Sequence, residues 1–102
     1  MAFQSIIEEI ENNLKLILAD LSISMISFTV EVAKPGFGDV SSNIAFLLSK
    51  EMKKSPKEIA QMLSEKYSQC SGDLVLKTEA HPSGYLNFFA DWTKLSKLIL
   101  SQ

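Results

Sequence analysis

The hydrophobic period changes along the chain, and that change limits the folds open to it. Phe3, Ile6, Ile7, Ile10, Leu14, Ile17 and Leu21 recur at steps of three and four, with Glu8, Glu9, Glu11, Asn12 and Lys15 between them. That spacing predicts an amphipathic helix fading near Asp20–Ser24. From Phe28 the period drops to two: Phe28, Val30 and Val32 alternate with Ser27, Thr29 and Glu31, as in a strand with one apolar face. A chain that opens this way combines helix and sheet. With 102 residues, 46% of them hydrophobic, it has the length and apolar content for one compact domain.

Punctuation supplies the remaining elements. Lys34-Pro35-Gly36-Phe37-Gly38 breaks the first strand. Asp39 or Ser41 then stands where a cap is needed for a helix burying Ile44, Leu47, Leu48 and Met52. Ser55-Pro56-Lys57-Glu58 is a sharper start, with a capping Ser, Pro at the first helical position and Glu three residues after the cap. That helix buries Ile59, Met62, Leu63, Tyr67 and Cys70 and ends near Ser71-Gly72. Leu74–Ala80 and Tyr85–Phe89 read as strands joined by a tight turn at His81-Pro82-Ser83-Gly84. Asp91 caps a last helix with Trp92, Leu95, Leu98 and Ile99 inward. The expected fold is α+β, in the order α-β-α-α-β-β-α, with a small antiparallel or mixed sheet covered on one face by helices.

Composition excludes several functions. The longest apolar runs are a few residues, such as those from Ile44 to Leu48, so no transmembrane helix is expected. Met1 to Ile10 carries Glu8 and Glu9 and no basic residue, unlike a secretory or transit leader. The single Cys70 forms no internal disulfide, which suits a reduced intracellular protein. Cys70 and the single His81 make a metal cluster unexpected. HExxH, CxxC, GxSxG and phosphate-loop spacings are absent. Cys70 reads as an inert thiol and His81 as a solvated turn residue. Gly36-Phe37-Gly38-Asp39-Val40-Ser41 occupies the place of a dinucleotide fingerprint, but Asp39 would set a negative charge among the amides meant for pyrophosphate. Turn glycines, a packed Phe37 and a capping Asp39 explain the segment better than a nucleotide-binding enzyme does.

Charge points toward anions only locally. Net charge is −2, and all ten basic residues are lysine, so bidentate guanidinium contacts to phosphate are ruled out. The first 31 residues hold five acids against Lys15, and the remainder seven acids against nine lysines. Lys50, Lys53, Lys54 and Lys57 cluster at the joint of the two middle helices. They are candidate phosphate contacts, although lysines also suit a solvated helix end.

The last strand is the most informative. Leu86, Phe88 and Ala90 share one face, and Tyr85, Asn87 and Phe89 the other. If the first set is core, Tyr85 and Asn87 stand together on the open face, a ring beside an amide. Unpaired RNA bases are recognised by that combination, stacking plus edge hydrogen bonds. The residues alone equally allow Tyr85 and Phe89 to pack beneath the last helix. They also allow a protein-interaction module that uses the open sheet face or the first helix.

Three segments together resemble a known family. Gly38-Asp39-Val40-Ser41-Ser42-Asn43-Ile44-Ala45 followed by Lys50, then Pro56-Lys57-Glu58-Ile59-Ala60, then Gly84-Tyr85-Leu86-Asn87-Phe88-Phe89, are similar in order and spacing to the N-terminal additional domain of arginyl-tRNA synthetases. The resemblance implies a domain that contacts the D-loop at the tRNA elbow, with Tyr85 stacking on a nucleotide and Asn87 contacting it. It assigns Gly38, Asp39, Ser42 and Asn43 to shaping the loop and helix start. It implies arginine tRNA and the rest of the synthetase as partners, a cytoplasmic setting, and neither DNA nor a membrane. The catalytic signatures of such enzymes are missing from these 102 residues, as is their helical anticodon-binding domain. The implied fragment is non-catalytic and without a cofactor, in a parent enzyme using ATP and Mg²⁺.

Overall fold

The computed structural model describes residues 2–23, 26–70 and 72–100, with side chains described between 4 and 97 of these. Its elements are α1 (Ala2–Asp20), β1 (Val30–Val32), β2 (Val40–Ser42), α2 (Ile44–Met52), α3 (Pro56–Tyr67), β3 (Val75–Ala80), β4 (Leu86–Ala90) and α4 (Trp92–Leu100). The α+β class and the order of the expected elements hold, with one further strand, β2, between β1 and α2. The sheet runs β1-β2-β4-β3, antiparallel throughout.

In α1 the three-and-four spacing does what it predicts: Ile6, Ile10, Leu14 and Ile17 are buried. Asn13 lies on the same buried face and donates to the Tyr67 hydroxyl at 3.2 Å, satisfying both polar groups away from water. The helix ends sharply. Ser22 adopts a left-handed φ of 58°, and the Ile23 N–H reaches back to the Leu18 carbonyl at 2.9 Å, a Schellman closure. Ser24, Ser71 and the side chains of Phe3, Leu98 and Ile99, all named in the sequence reading, lie outside the described residues.

The added strand corrects the expected role of Asp39. Val40, Ser41 and Ser42 pair with Phe88, Asn87 and Leu86 on one side and with Val32, Glu31 and Val30 on the other. Asp39 therefore caps no helix. Its carboxylate accepts from the Ala90 N–H at 2.9 Å, and its own N–H donates to the Phe88 carbonyl at 3.0 Å. The α2 start is held instead by Ser42, whose Oγ accepts from the Ile44 N–H at 3.2 Å, while Asn43 Oδ1 accepts from the Thr29 N–H at 2.9 Å. A three-residue strand is too short to show alternation, so β2 had no periodic signal.

The other caps match expectation. Ser55 Oγ accepts from the Glu58 N–H at 3.2 Å with Pro56 at the first helical turn, and Asp91 Oδ1 accepts from the Lys94 N–H at 3.2 Å. The helices cover one sheet face, where Val40, Leu86 and Phe88 meet Ile44, Leu48, Ile59, Leu63 and Tyr67. Tyr67 and Phe88 pack edge to face, with centroids 5.1 Å apart. Two inward assignments fail. Val32, at the outer end of the edge strand, is 60% exposed, and Trp92, in the first turn of α4, is 49% exposed, while Leu95 is the buried anchor among the described side chains of that helix.

Candidate nucleic-acid interface

The face of the sheet away from the helices is built by alternation. Leu86, Phe88 and Ala90 point into the core, which turns Tyr85, Asn87 and Phe89 outward. Cross-strand register sets Glu31, Ser41, Asn87 and Glu79 in one row over four strands. At the β3 side, the Lys77 ammonium sits 4.6 Å from the Phe89 ring centroid and 3.1 Å from Glu79. That end of the face is neutralised.

Tyr85 is 37% exposed, and its ring is held on two sides. Phe37, from the β1–β2 loop, meets it edge-on at 5.4 Å and 80°, and Phe46, from α2, at 5.0 Å and 79°. Phe37 in turn stacks on the His81 imidazole at 4.4 Å and 26°. His81 Nδ1 accepts from the Ser83 N–H at 3.0 Å, which places the neutral ring's proton on Nε2. His81 is thus a half-buried ring in an aromatic cluster, and not the solvated turn residue its position predicts. Phe37, Phe46 and His81 come from three separate segments. No local spacing could have joined Phe37 and Phe46 to Tyr85, although each flanked a predicted turn or helix start; His81 is four residues from Tyr85 in the same hairpin, its N–H donating to the Tyr85 carbonyl at 2.9 Å.

Asn87 departs from the expectation drawn from alternation. It shares the outward face with Tyr85 but is only 3% exposed, and its Oδ1 has no hydrogen-bond partner. The β1–β2 loop comes down close to β4 beside it. A Cβ on Gly38 would stand 3.0 Å from the Phe88 carbonyl oxygen, 3.4 Å from the Phe89 ring and 3.5 Å from the Asn87 Cβ. Alternation fixes which face a residue occupies, but a loop from elsewhere decides whether water reaches it.

Lys50, Lys53, Lys54 and Lys57 are all exposed around the α2–α3 joint, and no ion pair among the described residues engages them. Lys53 closes α2 with a left-handed φ of 54°. The hairpin turn packs against this joint: a Cβ on Gly84 would fall 2.6 Å from the Pro56 Cβ and 3.1 Å from the Phe46 ring. The basic cluster and the Tyr85 ring therefore sit on neighbouring surfaces, joined through Phe46 and Pro56. Gly38, Asp39, Ser42 and Asn43 are engaged in the loop and strand contacts described above.

Burial pushes the Cys70 thiol above its ordinary value. The Tyr67 phenol is raised to about 12, chiefly by burial, against the opposing effect of its hydrogen bond from Asn13. Among the described residues, no group of three or more His, Cys, Asp or Glu side chains converges as a metal site, and no helix is long and apolar enough to cross a membrane.

Comparison with known proteins gives one consistent result. The family model described as the arginyl tRNA synthetase N terminal domain matches residues 4–90. An arginine–tRNA ligase of Thermococcus sibiricus is 39% identical over 66 residues, covering 65% of this chain and 10% of that protein. One from Staphylococcus epidermidis is 35% identical over 97 residues, covering 94% of this chain and 17% of that protein. The solved structure of Thermus thermophilus arginyl-tRNA synthetase superposes with a TM-score of 0.76 at 25% identity, over 92% of this chain and 15% of that one. The chain thus spans between about a tenth and a sixth of the relatives it matches.

Proposed function

Because the chain belongs to the family of arginyl-tRNA synthetase N-terminal domains, we propose that it binds arginine tRNA at the D-loop, as a non-catalytic module of an arginine–tRNA ligase. The observation that carries this reading is the half-exposed Tyr85 ring, fixed edge-on by Phe37 and Phe46, with Lys50, Lys53, Lys54 and Lys57 on the neighbouring surface and in no ion pair among the described residues. A pre-positioned ring loses little freedom when a base stacks on it, so more of the contact energy is retained as binding. Lys50, Lys53, Lys54 and Lys57 supply point-charge contacts to the phosphates on either side.

Asn87 enters as an acceptor. Its Oδ1 is buried and unpartnered, a condition costing about 1–3 kcal/mol, and a base N–H reaching it would remove that cost. Such contact requires the loop over β4 to give way, so Asn87 engages after Tyr85. ATP- and Mg²⁺-dependent arginine activation would be performed by other parts of a full synthetase, in the cytoplasm where tRNA is charged.

Footprinting tests the proposal. The chain added to arginine tRNA at low salt is expected to protect the D-loop, and Tyr85→Ala to lose that protection while keeping its circular dichroism spectrum. No protection by the unaltered chain would favour a protein-interaction module.

A further inference from the structure

A cavity of about 480 Å³ lies between α1, α3 and β3. Thr78 in its lining pairs with the buried Phe88, so the cavity is on the helix-covered side of the sheet, away from the outward face that carries Tyr85. The volume falls within the ~300–1,000 Å³ range of small-molecule sites. Hydrogen bonds within the fold decide what the lining has left to offer. Ser68 Oγ donates to the Glu65 carbonyl at 2.6 Å, and Thr78 Oγ1 donates to the Ser64 carbonyl at 3.2 Å. Both hydroxyls therefore face a ligand as acceptors. The Glu9 carboxylate accepts from the Asp73 and Leu74 N–H groups at 3.1 Å, one on each oxygen, and each oxygen keeps a further lone pair. Glu65 is exposed, and its carboxylate has no ion pair or hydrogen bond among the described residues. The lysine in the lining contributes its stem alone, because the Lys77 ammonium is held 3.1 Å from Glu79 and 4.6 Å from the Phe89 ring centroid on the outward face. Tyr67 is the fixed donor. Its hydroxyl oxygen accepts from Asn13, and its own proton has no acceptor among the described residues. Burial raises this phenol to about 12, so the proton stays in place at neutral pH.

We propose that this cavity is a binding site for a small alkyl cation, a guanidinium or ammonium group on a short methylene chain. Two carboxylates and two hydroxyl oxygens accept, and no basic head group stands beside them, so the complementary ligand carries N–H donors and positive charge. An anion would be repelled here, and a neutral polyol would leave both carboxylates without a counter-charge. Val75 and Leu76 give the wall along which a methylene chain lies. The Tyr67 proton suits an acceptor at the far end of the same molecule. The site shares no side chain with the proposed RNA surface, so it stands or falls separately from that reading.

The test titrates the isotopically labelled 102-residue chain with L-arginine, with putrescine, and with L-citrulline as the neutral isostere of arginine, following backbone amide signals by NMR. The amides of Ser68, Leu76 and Thr78 are expected to shift saturably with both cations. L-Arginine should bind at least about fivefold more tightly than L-citrulline, because hydrogen bonds to a charged donor are the stronger ones. Glu65→Gln keeps the shape of an exposed side chain and removes its charge. It should weaken arginine binding by at least about threefold at an unchanged melting temperature. Glu11→Gln, on α1 but outside the cavity, should leave the affinity as it was. Arginine bound more tightly than putrescine identifies a cationic amino acid whose carboxylate takes the Tyr67 proton, and the reverse order identifies a polyamine; both bear out the cation site. Shifts that do not saturate, citrulline binding as tight as arginine, or equal losses in Glu11→Gln and Glu65→Gln overturn it.

Discussion

Asp39 accepts a hydrogen bond from the backbone N–H of Ala90, 2.9 Å away and 51 positions further along the chain. This bond fastens the β1–β2 loop, which carries Phe37, to the end of the central strand β4. Asp39→Ala would leave a part-buried N–H without its partner, at an expected cost of about 1–3 kcal/mol. The melting temperature should fall by roughly 4–8 °C for each kcal/mol lost, as for other domains of this size. Because the same loop supports Tyr85, RNA affinity should fall with it. A variant that melts normally and binds normally would show the bond to be dispensable.

The hairpin turn gives a test of stability. Gly84 has φ of 107°, and an added Cβ would overlap the Pro56 Cβ at 2.6 Å. Gly84→Ala should therefore destabilise the domain by more than about 1 kcal/mol, from backbone strain and steric conflict together. Chemical denaturation would read this as a lower midpoint at unchanged slope.

Removal of the Tyr85 ring should weaken arginine tRNA binding by about 1–3 kcal/mol, the range for one base stacked on an aromatic side chain. Tyr85→Phe retains the ring and should retain most of the affinity. Equal losses in the two variants would mean that the hydroxyl, and not the stacking face, makes the contact.

Salt should report the lysines. If Lys50, Lys53, Lys54 and Lys57 each neutralise one phosphate, the logarithm of affinity falls with the logarithm of salt concentration at a slope no steeper than about −4. Each Lys→Ala change in that cluster should make the slope shallower by roughly one. Lys94→Ala, which removes a surface partner of Asp73, should leave it alone.

Alkaline stability should follow Tyr67. Its phenol titrates at about 12 in the folded domain, against 10.0 for the unperturbed group, because burial disfavours the phenolate. The unfolded chain releases that proton first, so stability is full below pH 10 and declines as pH rises from there through about 12. Tyr67→Phe should flatten this decline, read as the melting temperature against pH. It should also lower stability at neutral pH, by removing the hydroxyl to which Asn13 donates.

Local rules found what local physics controls. The spacing of Ile6, Ile10, Leu14 and Ile17 settles which side of α1 is buried, since a helix with one apolar stripe has one way to hide it. Ser55, Pro56 and Asp91 mark helix starts through groups within three residues. Alternation from Tyr85 to Ala90 assigns each side chain to a face, because period two leaves no other option. Tertiary structure decided everything that depends on partners distant in sequence. Strand β2 exists because Val40–Ser42 lies between β1 and β4, and the role of Asp39 follows from that pairing. The surroundings of the Tyr85 ring come from Phe37 and Phe46, and the burial of Asn87 cannot be read from its neighbours in the chain. Direction is a property of backbone geometry, but access to solvent depends on which remote segments the folded chain lays across it.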